Sequence, residues 1–293
     1  MAKSPAGKPG PRMRKWTGMG PTLRINADDF GHDPASTEAI LQAVEEGLVN
    51  SLSVMAGCDE ADIRRLKDVA DKRPGLRIGV HLAIVDALPV HAATPIYSPA
   101  SALPPDFAAF LLWYARGKIK PRQVYREWKA QIERVAAWVG GTARLNHLDS
   151  HQHLHVLPGL WKEALRLQGE FSIPQLRLPH ESLPQSIGHQ FPFGFLFQAR
   201  TGWLAVRRGL GRNTMHSRTG GSGPAKESFL GFFRSTRFEF EFYRRRIYEH
   251  LQSHEYCELM VHPVRELTEL RALKFWLDHL PGHGGGAASA IGR

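Results

Sequence analysis

The sequence predicts an α/β fold in which a parallel sheet is covered by helices. Two observations carry this. Residues 22 to 84 alternate short β-compatible runs with helical spacings, giving strand, helix, strand, helix, strand in about sixty residues. Apolar residues make up 42% of the 293, enough for a sizeable core, while no run reaches the ~18 consecutive apolar residues of a membrane span.

Thr22 to Ala27 opens the pattern as a short strand. Asp33 then stands as a helix cap before Pro34, which a first helical turn tolerates. Ala39, Ile40, Ala43 and Val44 recur at helical spacing until Gly47. Ser51 to Ala56 reads as the second strand, 59 to 72 as a charged surface helix ended by Pro74-Gly75, and Leu76 to Ile84 as the third strand. Asp106 opens an aromatic helix, and a longer helix fits 121 to 139. Leu145 to His155 follows, then a helix near 159 to 170 and a strand Gln175 to Pro179. Residues 185 to 225 read as an irregular, aromatic and basic insertion. Phe229 to Phe233, a helix over 238 to 252 and a strand Tyr256 to His262 resume the alternation, and a last helix covers about 265 to 280. The chain is thus expected to be one domain over 21–280, between a basic tail (1–20) and a Gly/Ala-rich tail (281–293), both disordered.

The formal net charge of +10 is unevenly placed. Lys3, Lys8, Arg12, Arg14 and Lys15 have no acid among them, so residues 1–20 carry +5. Residues 205–250 hold ten Lys or Arg and four Glu, or +6, which leaves the remainder at −1. The first segment lacks the apolar centre of a secretory leader. Two cysteines, Cys58 and Cys257, make neither a disulfide framework nor a cysteine zinc site. The expected location is the cytoplasm.

His147, Asp149, His151, His153 and His155 are all odd-numbered, so an extended chain places them on one face, with Leu148, Leu154 and Val156 on the other. His147, His151 and His155 also satisfy helical spacing, but Gly140-Gly141 before them and the exit to Pro158 favour a strand ending in a loop. Several imidazoles on one strip need partners when buried and repel when charged, which points to metal or acid–base work. Asp28 and Asp29 at a strand end are costly together unless a cation or proton sits between them; a solvated turn is the other reading. His81 ends the apolar run Ile78-Gly79-Val80, and His262 ends Leu259-Met260-Val261. Polar residues inside buried parallel strands are unexpected. All these groups fall at the C-terminal ends of expected strands, the catalytic face of barrels built from alternating strands and helices.

At these residues the chain resembles the YdjC-like carbohydrate deacetylases, which include chitooligosaccharide deacetylase. The motifs are Asn26-Ala27-Asp28-Asp29-Phe30-Gly31, Gly79-Val80-His81-Leu82, His147 through His155, and Met260-Val261-His262-Pro263, in family order over roughly 22 to 265. The stretch Val80 to Val90 also resembles the branch associated with hopanoid lipid biosynthesis, which acts on an N-acetylglucosaminyl lipid. The resemblance implies a modified (β/α) TIM-like barrel and a hydrolase that removes acetyl groups from N-acetylated amino sugars, oligosaccharide or glycolipid, with one divalent metal, magnesium or zinc. It implies Asp29, His81 and His151 as metal ligands and Asp28 as the base. His262 is then the candidate acid. His147, Asp149, His153, His155 and Arg177 would orient ligands or meet substrate. Three departures from the family stand out: Val264 follows the His-Pro pair where Gly is usual, no closing strand is evident after it, and the Asn often found after the second strand is not evident around Ala56-Gly57.

Other readings remain open on the residues alone. The same site suits another metal-assisted hydrolase, an esterase or phosphodiesterase. A non-catalytic relative would bind carbohydrate, anionic lipid or nucleic acid. Phe238, Phe240 and Phe242 alternate with Glu239 and Glu241 ahead of Arg244 to Arg246, but a helix with a solvated basic patch is favoured over a nucleic-acid surface. Peripheral membrane contact through 191–246 would suit a glycolipid substrate.

Overall fold

The computed structural model describes residues 22–91, 103–181, 199–204, 227–232, 238–253 and 256–280. The two predicted tails and most of the 185–225 insertion lie outside the described residues. Seven strands form one parallel sheet in the order β5-β4-β3-β2-β1-β7-β6. They are β1 (Thr22–Phe30), β2 (Ser51–Val54), β3 (Arg77–Leu82), β4 (Leu145–Ser150), β5 (Gln175–Leu176), β6 (Glu227–Leu230) and β7 (Tyr256–Val261). The helices are α1 (Pro34–Glu45), α2 (Glu60–Asp71), α3 (Phe107–Ala115), α4 (Pro121–Val139), α5 (Leu160–Glu170), α6 (Phe240–Ser253) and α7 (Leu267–Asp278). Asp33, Asp59 and Asp106 cap α1, α2 and α3 by accepting backbone N–H bonds, each contributing about 1 kcal/mol.

The sheet curls into a TIM-like partial barrel, and side-chain bonds demonstrate the curl. Arg24 on β1 donates to Gln175 on β5 at 2.7 Å, and Arg177, just past β5, donates to Glu258 on β7 at 2.7 Å. In a flat sheet β5 and β1 would lie about 19 Å apart, four steps of ~4.8 Å, beyond the reach of any side chain. Among the described residues no strand joins β5 to β6.

Strand alternation sorts the two faces. Leu23, Ile25, Ala27, Leu52, Val54, Val80, Leu82, Leu148, Cys257, Leu259 and Val261 belong to the apolar core shared with the helices. Arg24, Asn26, Asp28, Ser51, Ser53, His81, His147, Asp149 and Glu258 are equally buried but polar, and they fill the lumen. Buried parallel strands usually read apolar on both faces. A polar lumen therefore has to satisfy itself internally.

Two expectations change and a third holds. β4 stops at Ser150, and His151–Val156 fold as 3₁₀ turns with Gln152 (φ 52°) and His153 (φ 55°) in the left-handed region. The shared strand face therefore holds for His147 and Asp149 only. The Ser150 hydroxyl closes the turn, accepting from the His155 backbone N–H at 3.1 Å and pairing with His155 Nδ1 at 2.6 Å. Within the predicted irregular insertion, 199–204 is helical, because packing decides there: Thr201 and Leu204 are buried and Arg200 donates to the Val156 carbonyl. The favoured helical reading of the phenylalanine segment holds, with the helix running from Phe240 to Ser253. Phe238 and Phe240 are buried in the core and Phe242 packs against it, while Arg244 and Arg245 pair with Glu241 and Glu249 on α6. No helix among the described residues is long and apolar enough to cross a membrane.

Candidate metal centre

By strand alternation Asp28 faces the lumen and Asp29 should face away. Asp29 takes a left-handed backbone (φ 72°) instead, where the β1–β2 register slips between Ala27 and Phe30, and its carboxylate reaches the strand ends. Such a conformation costs a non-glycine residue roughly 1–2 kcal/mol. The turn continues through Gly31 (φ 85°), where a Cβ would lie 2.2 Å from Cys58 Cβ, so Asp-Asp-Phe-Gly needs its glycine. Asp29 Oδ1 then lies 3.1 Å from His81 Nε2 and 2.9 Å from His151 Nδ1, and its Oδ2 lies 3.6 Å from His262 Nε2. One oxygen and two nitrogens converge within 4.8 Å of one another.

His81 is oriented from behind. Its strand neighbour in register is Asp149, whose Oδ1 lies 2.7 Å from His81 Nδ1, leaving Nε2 aimed at Asp29. This carboxylate–imidazole pairing is how proteins fix the tautomer of a metal-ligating histidine. Burial opposes charge on His81, but Asp149 and Asp29 outweigh it and push its pKa up to about 10. Burial likewise opposes ionisation of Asp29, and hydrogen bonds from His151 and His81 hold it well below the usual carboxylate range. The cluster thus attracts positive charge.

Beneath it lies a continuous network. Arg177 grips Asp28 with both terminal nitrogens, at 2.6 and 2.7 Å, and also bonds Asp149 Oδ2 at 2.9 Å and Glu258 Oε1 at 2.7 Å. Arg24 pairs with the other oxygen of Glu258. Asn26 donates to Asp28 Oδ1 at 2.7 Å and to Ser53 Oγ at 2.8 Å, and Ser53 donates to Asp149 Oδ2 at 2.6 Å. Despite burial, Arg177 and Arg24 draw Glu258 down to about 2, and Arg177 with His81 hold Asp149 well below normal. Once His81 gives up its proton to act as a ligand, the three carboxylates of this network plus Asp29 face two guanidiniums, an imbalance of two negative charges. A divalent cation at Asp29, His81 and His151 would balance it, and the oxygen-plus-imidazole donor set suits magnesium, manganese or zinc.

The remaining histidines separate by environment. His147 is buried beside Gly79, its neighbour in register, and a Cβ on Gly79 would sit 2.2 Å from His147 Nε2. Burial and Arg24 lower its pKa to about 3, and burial lowers His155 to about 4. His155 bonds the Arg177 carbonyl at 2.9 Å and Ser150, so it steadies the arginine's backbone. His153 stacks on Phe232 at 5.7 Å. Asp28, Asp29, His81, His151, His153 and His262 line one cleft of about 620 Å³, with His32, Asp86 and Arg265 at the same surface. His147, Asp149, His155 and Arg177 do not line it; they stand behind. Sequence reasoning missed Ser53, Glu258, His32, Asp86 and Glu266. The first two carried a signal, polar residues alternating in buried strands. The carboxylate of Glu266, on the loop after β7, accepts the His262 backbone N–H at 2.6 Å and that of Phe238 at 2.5 Å.

The model of the YdjC-like protein family matches residues 22–278. The chain belongs to the YdjC-like family. Its relatives include a carbohydrate deacetylase of Brevibacillus brevis, 28% identical over 52% of this chain and 57% of that one. A mouse carbohydrate deacetylase is 30% identical over 54% and 51%, and a Yersinia enterocolitica chitooligosaccharide deacetylase 27% over 56% and 62%. The matched stretch of this YdjC-like chain therefore spans little more than half the length of these relatives. A solved structure from Enterococcus faecalis, named for cellobiose-phosphate cleavage, superposes with a TM-score of 0.56 over 86% of this chain and 85% of its own, at 23% identity. That likeness concerns the fold alone.

Proposed function

We propose that this YdjC-like chain is a metal-dependent hydrolase that removes acetyl groups from N-acetylated amino sugars. The observation that carries the proposal is Asp29 set between His81 and His151, with Asp28 one residue away in the arginine's grip. A divalent cation, magnesium or zinc, would be held by Asp29, His81 and His151 and would supply Lewis acidity toward an amide carbonyl and a water. Asp28 uses three acceptor positions on Asn26 and Arg177, and a carboxylate has about four, so capacity remains to take a proton from water in the cleft. His262 Nε2 faces the same centre and is the group to protonate the departing sugar amine. Arg177 and Asp149 keep base and ligand in place rather than meeting substrate.

The deacetylase names of the relatives support the carbohydrate class. Acetate release assayed on N-acetylglucosamine oligomers and on N-acetylglucosaminyl lipids tests the reading, with metal content measured in parallel. Asp29→Ala and His151→Ala should lose metal and acetate release, and Asp28→Asn should keep metal and lose turnover. Undiminished acetate release from Asp29→Ala overturns the proposal. Hydrolysis of phosphodiesters or simple esters without acetate release from sugars would redirect it to another metal-assisted reaction. Turnover confined to the lipid substrate would place the enzyme's work at a membrane surface.

A further inference from the structure

We propose that His32, clasped between Asp33 and Asp86, is a positioning residue that holds the ring of His151 at the metal centre. The inference rests on the metal reading above and concerns how one of its ligands is kept in place.

The two imidazoles of the centre are supported unequally. His81 has Asp149 on its far nitrogen at 2.7 Å. His151 makes its one side-chain hydrogen bond among the described residues with Asp29, itself a ligand. It also sits on a 3₁₀ turn, just before the two left-handed residues, rather than on a strand. A ligating histidine normally has an outer partner that fixes its ring. The ring of His32 occupies that role by stacking, with centroids 5.3 Å apart and planes 25° from parallel, while His81 meets His151 edge-on at 5.7 Å.

His32 is in turn held at both ends. Nδ1 lies 3.1 Å from Asp33 Oδ2 and Nε2 lies 3.1 Å from Asp86 Oδ2. Each carboxylate is itself anchored. Asp33 caps α1, accepting from the Ser36 backbone N–H at 2.9 Å and hydroxyl at 2.6 Å. Asp86 stands on left-handed backbone (φ 48°) in the loop after β3, and its N–H donates to the Pro104 carbonyl. From α4, Glu127 accepts the N–H groups of Val90 and His91, and Gln131 bonds both the N–H and the carbonyl of Ala83. The clasp therefore links the loop after β1 to the loop after β3 across the cleft mouth, with the ring of His151 against it. No step of the proposed reaction uses His32 or Asp86; the two also converge with His151 closely enough to hold an ion, and the ring-keeping variant His32→Phe separates support from direct ligation.

The test is metal affinity of the full chain, measured by chelator competition with Zn²⁺, together with the visible spectrum of the Co²⁺ form. His32→Ala should weaken affinity about 10- to 100-fold and shift the cobalt bands, with the metal-free melting temperature unchanged. His32→Phe, which keeps the stacked ring, should recover most of the loss. Asp86→Ala, at an exposed position, should weaken affinity several-fold, and Asp86→Asn should restore it. Affinity within twofold of wild type and an unshifted cobalt spectrum in His32→Ala overturn the proposal while leaving the metal centre standing. If His32→Ala does not fold, wild-type affinity in Asp86→Ala overturns it equally. Absence of metal binding by the wild type overturns the centre and this inference together.

Discussion

Asp28 and Asp29 are adjacent in the chain and belong to different parts of the molecule. Asp28 follows the alternation of β1 into the lumen, where it is 2% exposed and shares Arg177 with Asp149 and Glu258. Asp29 leaves the alternation through a left-handed residue and reaches the cleft, facing imidazoles rather than guanidiniums. In the lumen, every carboxylate has a permanent cationic partner, as low-dielectric burial demands. At the cleft, the carboxylate's partners are imidazoles, which under the proposed function would share it with a metal. The difference teaches that a site able to bind and release charge has to be built where regular strand geometry ends.

The largest effects should come from removing Asp29 itself or the arginine that partners Asp28. Asp29→Ala should abolish metal binding and turnover while leaving the metal-free fold intact, as metal analysis and thermal melting of the same sample can check. Arg177→Met should strike the metal-free fold as well as the site, leaving three buried carboxylates short of charge and costing about 3–5 kcal/mol in urea unfolding. A loss below 1 kcal/mol would mean the lumen is not the rigid network described here.

pH sharpens the contrast through two buried glutamates. Glu258, compensated by arginines, has its pKa drawn from 4.5 down to about 2. Its contribution is present above pH 4.5 and lost as pH falls through the 4.5-to-2 window. Glu266, buried with only backbone N–H partners at hand, is pushed up to about 7, burial being the main cause. Its contribution is present below pH 4.5 and lost as pH rises from 4.5 through 7, by roughly 3 kcal/mol. Glu266→Gln should therefore flatten the stability curve between pH 4.5 and 7, and an unchanged slope counts against that assignment.

Two smaller changes separate the regions further. Gly79→Ala drives a methyl into His147 and should cost about 1–3 kcal/mol with little change in metal affinity. Asp29→Gly should relieve left-handed strain and raise metal-free stability by about 1 kcal/mol while destroying the site, which denaturant melts without metal would reveal.

Much of the lumen was legible residue by residue. A histidine in Ile-Gly-Val-His-Leu and paired aspartates after a strand break the apolar expectation, and the alternation of Ser51 with Ser53 and the charge of Glu258 in β7 carry the same signal. The strip from His147 to His155 was legible only in its first half. Nothing in Gln152 or His153, neither Gly nor Asn, announces a left-handed backbone, so extrapolating the strand period failed there. The pairing of His32 with Asp86 was invisible because 54 residues separate them.

By itself the sequence determined the parallel α/β alternation, the polar character of one sheet face and the set of carboxylates and imidazoles. Those depend on local periodicity and on residue chemistry, both readable along the chain. Only the tertiary structure decided which of them meet. The curl of the sheet brings β5 against β1 and β7 and delivers Arg177 to Asp28. A left-handed residue at Asp29 and the end of β4 at Ser150 turn two of the three proposed metal ligands, Asp29 and His151, out of their strand directions. Both depend on backbone dihedrals and long-range packing, which single-residue propensities do not encode.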